Sequence, residues 1–274
     1  MANKVRLDTL LVERGLVETR EKAKRTIMAG LVFSEENRLD KPGMKVDADL
    51  SLKVKGKAIP YVGRGGLKLE KALQRFNINL NDRTMVDIGS STGGFTDCAL
   101  QNGVEKCYAI DVGYNQLDWK LRNDPRVVVM ERTNFRHVKK EMFTNGVPNF
   151  ASIDVSFISL RLILPVLQTI LASESDVIAL IKPQFEAGRE QVGKKGIVRD
   201  KKVHKQVVTK IISLANDLDY TLENITYSPI TGGDGNIEFL AHLSWRKSSQ
   251  ADLAGQELEN LIDQVILEAH KVHE

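Results

Sequence analysis

The chain has 274 residues, is 42% hydrophobic and carries a formal net charge of +3, so it is long enough to bury a full core in one large or two modest domains. No apolar run approaches the ~18 to 20 residues that cross a bilayer, and Met1-Ala2-Asn3-Lys4 lacks the hydrophobic stretch of a signal peptide; the expectation is a soluble, cytoplasmic protein without a membrane partner. Cys98 and Cys107 lack C-x-x-C spacing, and His137, His204, His242, His270 and His273 show no metal-ligand spacing, so neither a disulfide framework nor a metal site is expected: the cysteines read as packing residues and the histidines as surface or capping residues.

Residues 1–60 hold 13 Lys+Arg against 9 Asp+Glu, whereas the remainder carries one acid in excess. Such asymmetry points to a polyanionic partner for the N-terminal piece. Leu7, Leu10, Leu11 and Leu16 predict a helix from Leu7 to Gly15, stopped by Gly15. A second helix follows Thr19, a fitting N-cap, and runs through Ala23 and Ile27 to Gly30. Short strands are expected at Leu31 to Phe33 and Leu50 to Val54, around the turn Ser34-Glu35-Glu36-Asn37. On the second helix Arg20, Lys24 and Arg25 form a basic stripe opposite the apolar one, which by itself reads as a solvated face. Arg6-Leu7-Asp8, Thr19 to Arg25 and Ala29-Gly30-Leu31-Val32 together resemble the αL-type RNA-binding domain of a small-subunit ribosomal protein and of pseudouridine synthases. The resemblance spans residues 4–58 and implies RNA binding by shape and phosphate contact, with Arg6, Arg20, Lys24 and Arg25 as candidates. Ser34 to Asn37 departs from the Val-Asn-Gly turn usual in such domains.

After a linker at Lys57-Ala58-Ile59-Pro60-Tyr61, a helix is expected from Gly66 to Phe76. Strand-like runs then alternate with helical ones at Met85 to Ile88, Cys107 to Val112, Val127 to Met130, Phe150 to Val155, Val177 to Ile181, Leu222 to Ile230 and Ile237 to Leu243. Alternation of this kind predicts an α/β fold, a mostly parallel sheet with helices on both faces, closed at one edge by an antiparallel hairpin. The first strand runs into Asp87-Ile88-Gly89-Ser90-Ser91-Thr92-Gly93-Gly94-Phe95, which has neither the lysine of a phosphate loop nor G-x-G-x-x-G spacing. Gly89, Gly93 and Gly94 would let backbone approach a flat ligand, and Asp87 disfavours phosphate. Asp111, at the tip of the next strand, stands where an acid takes ribose hydroxyls. S-adenosyl-L-methionine (AdoMet), cationic and free of phosphate, is the cofactor these features suit, with Asp87, Gly89, Ser90, Gly93, Gly94, Phe95, Asp111 and Val112 as candidate binders.

Ligands of open α/β sheets lie beyond the carboxyl ends of the strands. Asp154 ends the fourth strand, Lys182 the fifth, Glu238 opens the last, and Lys68 lies on the helix entering the domain. In order and context these four resemble the Lys-Asp-Lys-Glu tetrad of FtsJ-like ribose 2'-O-methyltransferases. With the N-terminal domain, Gly93 to Asp97, Asp111-Val112-Gly113, Lys182 to Glu186 and Gly235 to Glu238, they resemble the TlyA/YqxC family, often labelled haemolysin, across essentially the whole chain. That resemblance implies a Rossmann-like seven-stranded AdoMet methyltransferase domain behind a small α+β domain. It also implies 2'-O-methylation of cytidine in ribosomal RNA, the large subunit being one expected substrate. Lys182 would then accept or orient the ribose hydroxyl proton, and Lys68, Asp154 and Glu238 would position it. Asp154-Val155-Ser156-Phe157 lacks the Pro-Pro-aromatic signature of amine methylation, and neither cysteine is placed for C5 chemistry. Arg64, Arg189, Lys194 and Lys195 are candidates for an RNA-facing rim. The expected division is 1–60, 61–246 and a C-terminal piece, 247–274, in which Leu258, Leu261, Ile262, Val265 and Ala269 share a helical face packed on the sheet, a dimer seam being the lesser reading. Two competing functions are a non-enzymatic ribosome-assembly factor and a membrane-lysing protein.

Overall fold

The computed structural model describes residues 4–28, 30–55, 59–232, 235–245 and 255–273; Lys57 and Ala58 of the expected linker, and the expected boundary at 246–247, lie outside them. The chain divides into two compact units, Met1–Gly66 and Leu67–Glu274.

The first unit comprises β1 (Lys4–Arg6), α1 (Leu7–Glu13), α2 (Arg20–Met28), β2 (Val32–Ser34), β3 (Asn37–Arg38), β4 (Lys45–Asp47) and β5 (Lys53–Val54). β1 pairs with β4, while β2 stands between β3 and β5. The pieces β1, β3 and β4 were not foreseen, because two or three residues are too few for alternation to register. Both expected helix stops hold: Gly15 and Gly30 take φ values of +66° and +72°, a region glycine enters without strain. Thr19 Oγ1 accepts from the Lys22 N–H at 3.2 Å and so caps α2. Leu7, Leu10, Leu11, Ala23 and Ile27 meet Val32 and Val46 in one core. Leu16 departs from that stripe: it follows the Gly15 turn and is 38% exposed.

The second unit follows α3 (Gly66–Phe76) with β6 (Thr84–Ile88), α4 (Gly94–Gln101), β7 (Lys106–Ile110), α5 (Trp119–Arg122), β8 (Val127–Met130), β9 (Phe150–Ile153), α6 (Leu164–Ile170), β10 (Ser175–Ile181), α7 (Pro183–Glu186), α8 (Lys201–Asp217), β11 (Tyr220–Tyr227), β12 (Phe239–Trp245) and α9 (Gly255–His273). Its seven strands lie in the order β11-β12-β10-β9-β6-β7-β8. The expected hairpin is present, but β12 wedges inside the sheet, antiparallel to both β10 and β11, and leaves β11 at the edge. Every residue of β10 is buried, which is why its sequence reads as a continuous apolar run rather than an alternating one.

Register sets the site. Ile88 lies opposite Ile110 and Ile153, Ala179 opposite Ile153, and Ile181 opposite Phe239. The residues just beyond these ends, Gly89, Asp111, Asp154 and Lys182, therefore emerge along one edge of the sheet, where Glu238 enters β12. Asp154, Lys182 and Glu238 each stand one residue outside their strands rather than within them.

α9 packs on α8 and β11 through Ile262, Val265, Ile266, Ala269 and His270. Leu258 and Leu261 are only partly buried, so the buried face is rotated from the expected one. The surface reading of the histidines fails for three of them: His204, His242 and His270 are buried. His204 Nδ1 meets His270 Nε2 at 2.8 Å, and His242 Nε2 meets Asp176 Oδ1 at 2.9 Å. Periodicity treats a histidine as polar, but a ring whose nitrogens find partners can be buried as readily as an apolar side chain.

Candidate active site

A cavity of about 450 Å³ opens at that sheet edge, bounded by Gly89, Asp111, Val112, Phe135, Asp154 and Phe157. Its size falls within the range of small-ligand sites, ~300–1,000 Å³. Among the eight cofactor candidates, Gly89, Asp111 and Val112 line it. The remaining five are not among its lining residues. Asp87 is fully buried and accepts from Thr96 Oγ1 at 2.7 Å and Ser152 Oγ at 2.8 Å; burial pushes its carboxyl up to about 6 against those two donors. Asp87 thus ties α4 to β9. Ser90 is buried and its carbonyl accepts from Gly93 N–H at 2.7 Å. Gly93, at φ +94°, precedes α4, where a Cβ would meet Leu117 and Leu121, and Gly94 and Phe95 begin that helix, buried. Even Gly89 answers to the protein itself: a Cβ there would lie 2.5 Å from the Asp154 carbonyl oxygen, at φ +85°. Asp111 faces the cavity with both oxygens oriented, Oδ1 by Gly113 N–H and Oδ2 by Ser91 N–H, each at 2.7 Å. Each oxygen keeps a lone pair for a hydroxyl.

Beside the cavity the four tetrad candidates meet. Lys182 Nζ lies 2.5 Å from Asp154 Oδ1 and donates to Ser156 Oγ at 3.1 Å. Lys68 Nζ reaches Asp154 Oδ2 at 3.3 Å and Glu238 Oε2 at 2.8 Å. Lys68, Lys182 and Glu238 are buried, and Asp154 is partly exposed toward the cavity. Burial works to raise the Asp154 carboxyl, but Lys68 and then Lys182 outweigh it and hold the group below the usual carboxylate range. Burial likewise works to lower Lys68; Asp154 and Glu238 overcome it, so that amine is held as a cation above its ordinary value. Lys68 is therefore a fixed charge that gathers both carboxylates, whereas Lys182 contacts one carboxylate and one hydroxyl.

Sequence reasoning passed over the groups that hold this cluster. Glu186 Oε1 accepts from Leu160 N–H at 2.7 Å and Oε2 from Ser159 Oγ at 2.6 Å, pinning the segment after Asp154 to α7. Gln184 Nε2 donates to Glu238 Oε1 at 3.3 Å. Phe157, at φ +64° and 90% exposed, faces Phe185 at 4.9 Å between ring centroids. The available signal was position: Gln184, Phe185 and Glu186 directly follow Lys182.

In the first unit, Arg6 donates twice to the buried Asp8, from Nε to Oδ1 at 3.0 Å and from Nη2 to Oδ2 at 2.9 Å. Arg20 Nη2 joins Oδ2 at 3.3 Å. The Arg6 hydrogen bonds hold the Asp8 carboxyl down to about 2 despite its burial. Lys24 pairs with Glu21 at 2.8 Å; Arg25 is partly buried and Arg64 exposed. Among the described residues no group of three or more acids, histidines or cysteines could hold a metal ion, and no helix is long and apolar enough to cross a membrane.

A seven-stranded, mostly parallel sheet with one inserted antiparallel strand and a cavity at its carboxyl edge defines a Rossmann-like methyltransferase. The chain belongs to the FtsJ-like methyltransferase family, which matches residues 61–245, and carries an S4 domain at residues 5–51. It is 66% identical to the protein of Bacillus subtilis (strain 168) that bears the name "Putative rRNA methyltransferase YqxC", over 98% of this chain and 95% of that protein. It is 38% identical to the 16S/23S rRNA (cytidine-2'-O)-methyltransferase TlyA of Mycobacterium tuberculosis, over 98% and 99% of the two chains. Hemolysin A of Brachyspira hyodysenteriae is 44% identical over 87% of this chain and 99% of its own. A solved structure from Streptococcus thermophilus, carrying the hemolysin name, superposes with a TM-score of 0.78 at 53% identity, covering 99% and 98% of the two chains.

Proposed function

We propose that this protein is an AdoMet-dependent ribose 2'-O-methyltransferase acting on cytidine of ribosomal RNA, in the cytoplasm, with the large subunit as a principal substrate. The observation that carries the proposal is the convergence of Lys182 and Lys68 on the two oxygens of one carboxylate, Asp154, at the cavity wall. The names of the relatives at 66% and 38% identity support the same reading.

The residues present fit the cofactor: an oriented acid, Asp111, for hydroxyls, an exposed apolar wall position at Val112, and Gly89 where a side chain could not stand. When bound, AdoMet supplies a methyl group on a sulfonium, whose carbon–sulfur bond breaks with the electron pair going to sulfur. Lys182 Nζ, having first released a proton to solvent, orients the ribose hydroxyl as the neutral amine and takes its proton as the oxygen–carbon bond forms. Asp154 fixes the direction of that amine, and Lys68 fixes Asp154 and Glu238. Lys24, Arg25 and Arg64 bring phosphate contacts, with Arg6 and Arg20 offering their remaining donors beside Asp8.

The test is transfer of tritium from labelled AdoMet to rRNA, with ribose methylation mapped by mass spectrometry. Lys182→Ala is expected to lower transfer by roughly 100-fold or more while melting temperature and cofactor affinity stay unchanged. Near-wild-type transfer by that variant would overturn the role of Lys182. Tight rRNA binding by the wild type with no transfer would instead make the protein an assembly factor.

A further inference from the structure

Among the described residues each oxygen of Glu238 takes a single donor: Lys68 Nζ on Oε2 at 2.8 Å and Gln184 Nε2 on Oε1 at 3.3 Å. Gly232 lies against the same carboxylate, where a Cβ would overlap Oε1. We propose that Gln184 is a positioning residue for the transfer reaction, holding Glu238 in the one orientation that keeps Oε2 on Lys68; this rests on the ribose methyltransferase reading above.

The chemistry of the amide makes the case. A carboxylate accepts and never donates, so Glu238 dictates which end of Gln184 faces it. The cost falls on the other end: Gln184 Oε1 is buried without a hydrogen-bond partner, one of two such side-chain atoms among the described residues, the other being Asp47 Oδ1 in the first unit. A side chain retained only to fill space would not carry that cost, since Met or Leu occupies a similar volume with no acceptor to strand. What Met and Leu cannot supply is a donor to Glu238. The location agrees: Lys182 is the N-cap residue of α7 and Gln184 lies within it, so one short stretch presents both the amine that meets Asp154 and the amide that meets Glu238.

The experiment compares wild type, Q184E and Q184M in transfer of label from AdoMet to rRNA, recording kcat from pH 6 to 9 beside cofactor affinity and thermal melting. In Q184E two carboxyl groups face each other at the distance the amide now spans; their repulsion keeps one proton on the pair at low pH, and only toward high pH do both ionise and push apart. The protonated partner at low pH donates to Glu238 as the amide does, so Q184E is expected to run within about 3-fold of wild type at pH 6 and to lose about 10-fold or more relative to wild type by pH 9. Q184M is expected to be lowered about 10-fold throughout, with cofactor affinity and melting unchanged. Parallel pH profiles for Q184E and wild type, or Q184M within 2-fold of wild type, overturn the proposal. Should Q184E fail to fold, the kcat of Q184M decides alone. Wild-type protein that transfers no label defeats the methyltransferase reading and this proposal with it; a wild type that transfers while the variants match it defeats only the role of Gln184.

Discussion

Glu238 can meet Lys68 because position 232 has no side chain, a Cβ there being incompatible with the observed place of Oε1. Gly232→Ala is therefore expected to displace the carboxylate and lower methyl transfer by roughly 10- to 100-fold, measured as kcat, with cofactor affinity retained. Asp87 gives a residue-scale prediction of a different kind. Its carboxyl is raised from the ordinary 3.8 to about 6 by burial, so the fold favours the protonated acid: the stabilisation is complete below about pH 4 and is lost as pH rises through 6. Asp87→Asn carries no such penalty. Its melting temperature relative to wild type is expected to climb by roughly 5 °C between pH 4.5 and 7.5, and a constant difference across that range would contradict the buried, charge-penalised setting of Asp87.

Among elements, α9 is fastened to α8 by the His204–His270 hydrogen bond, while the other ring nitrogen of His204, Nε2, meets the Val198 carbonyl at 3.2 Å. Burial, with His270 adding to it, lowers His204 from 6.5 to about 4, over the weaker pull of the Val198 carbonyl and Asp200. The neutral ring is the one the fold accepts, so this attachment is fully present above pH 6.5 and is drawn down as pH falls toward 4. Hydrogen exchange in α9 is expected to quicken over that window. His270→Ala, which strands a buried ring nitrogen at a cost of ~1–3 kcal/mol, should quicken it already at pH 7.5. Neither histidine stood out in the sequence, because nothing local separates a buried hydrogen-bonded imidazole from a solvated one. The α9 stripe was legible, and its rotation toward Ile266 and His270 follows from which residues of α8 and β11 it meets.

For the whole molecule the proposed function assigns RNA attachment to the S4 domain and methyl transfer to the FtsJ-like region. Arg6 and Arg20 share the buried Asp8, whereas Lys24 meets the solvent-exposed Glu21, a weak pair that phosphate can replace, so the salt dependence of rRNA binding should fall mainly on Lys24, Arg25 and Arg64. Replacing those three with Ala is expected to reduce the log–log salt slope by roughly 2 to 3, read from binding between 50 and 200 mM salt, whereas an unchanged slope would place the phosphate contacts elsewhere. The sequence by itself determined the strand runs of the sheet, the entering helix α3, the apolar stripe of α9, and the order in which Asp111, Asp154, Lys182 and Glu238 arrive beside the strands, since each rests on apolar patterning within a few residues. Only the tertiary structure decided that β12 enters between β10 and β11, that Asp87 points into the core while Asp111 faces the cavity, and that one carboxylate receives both lysines. Those outcomes depend on pairings between segments as far apart as Lys68 and Glu238, which no local pattern encodes: register between strands, and the partners a buried polar group finds, exist only once the chain has closed on itself.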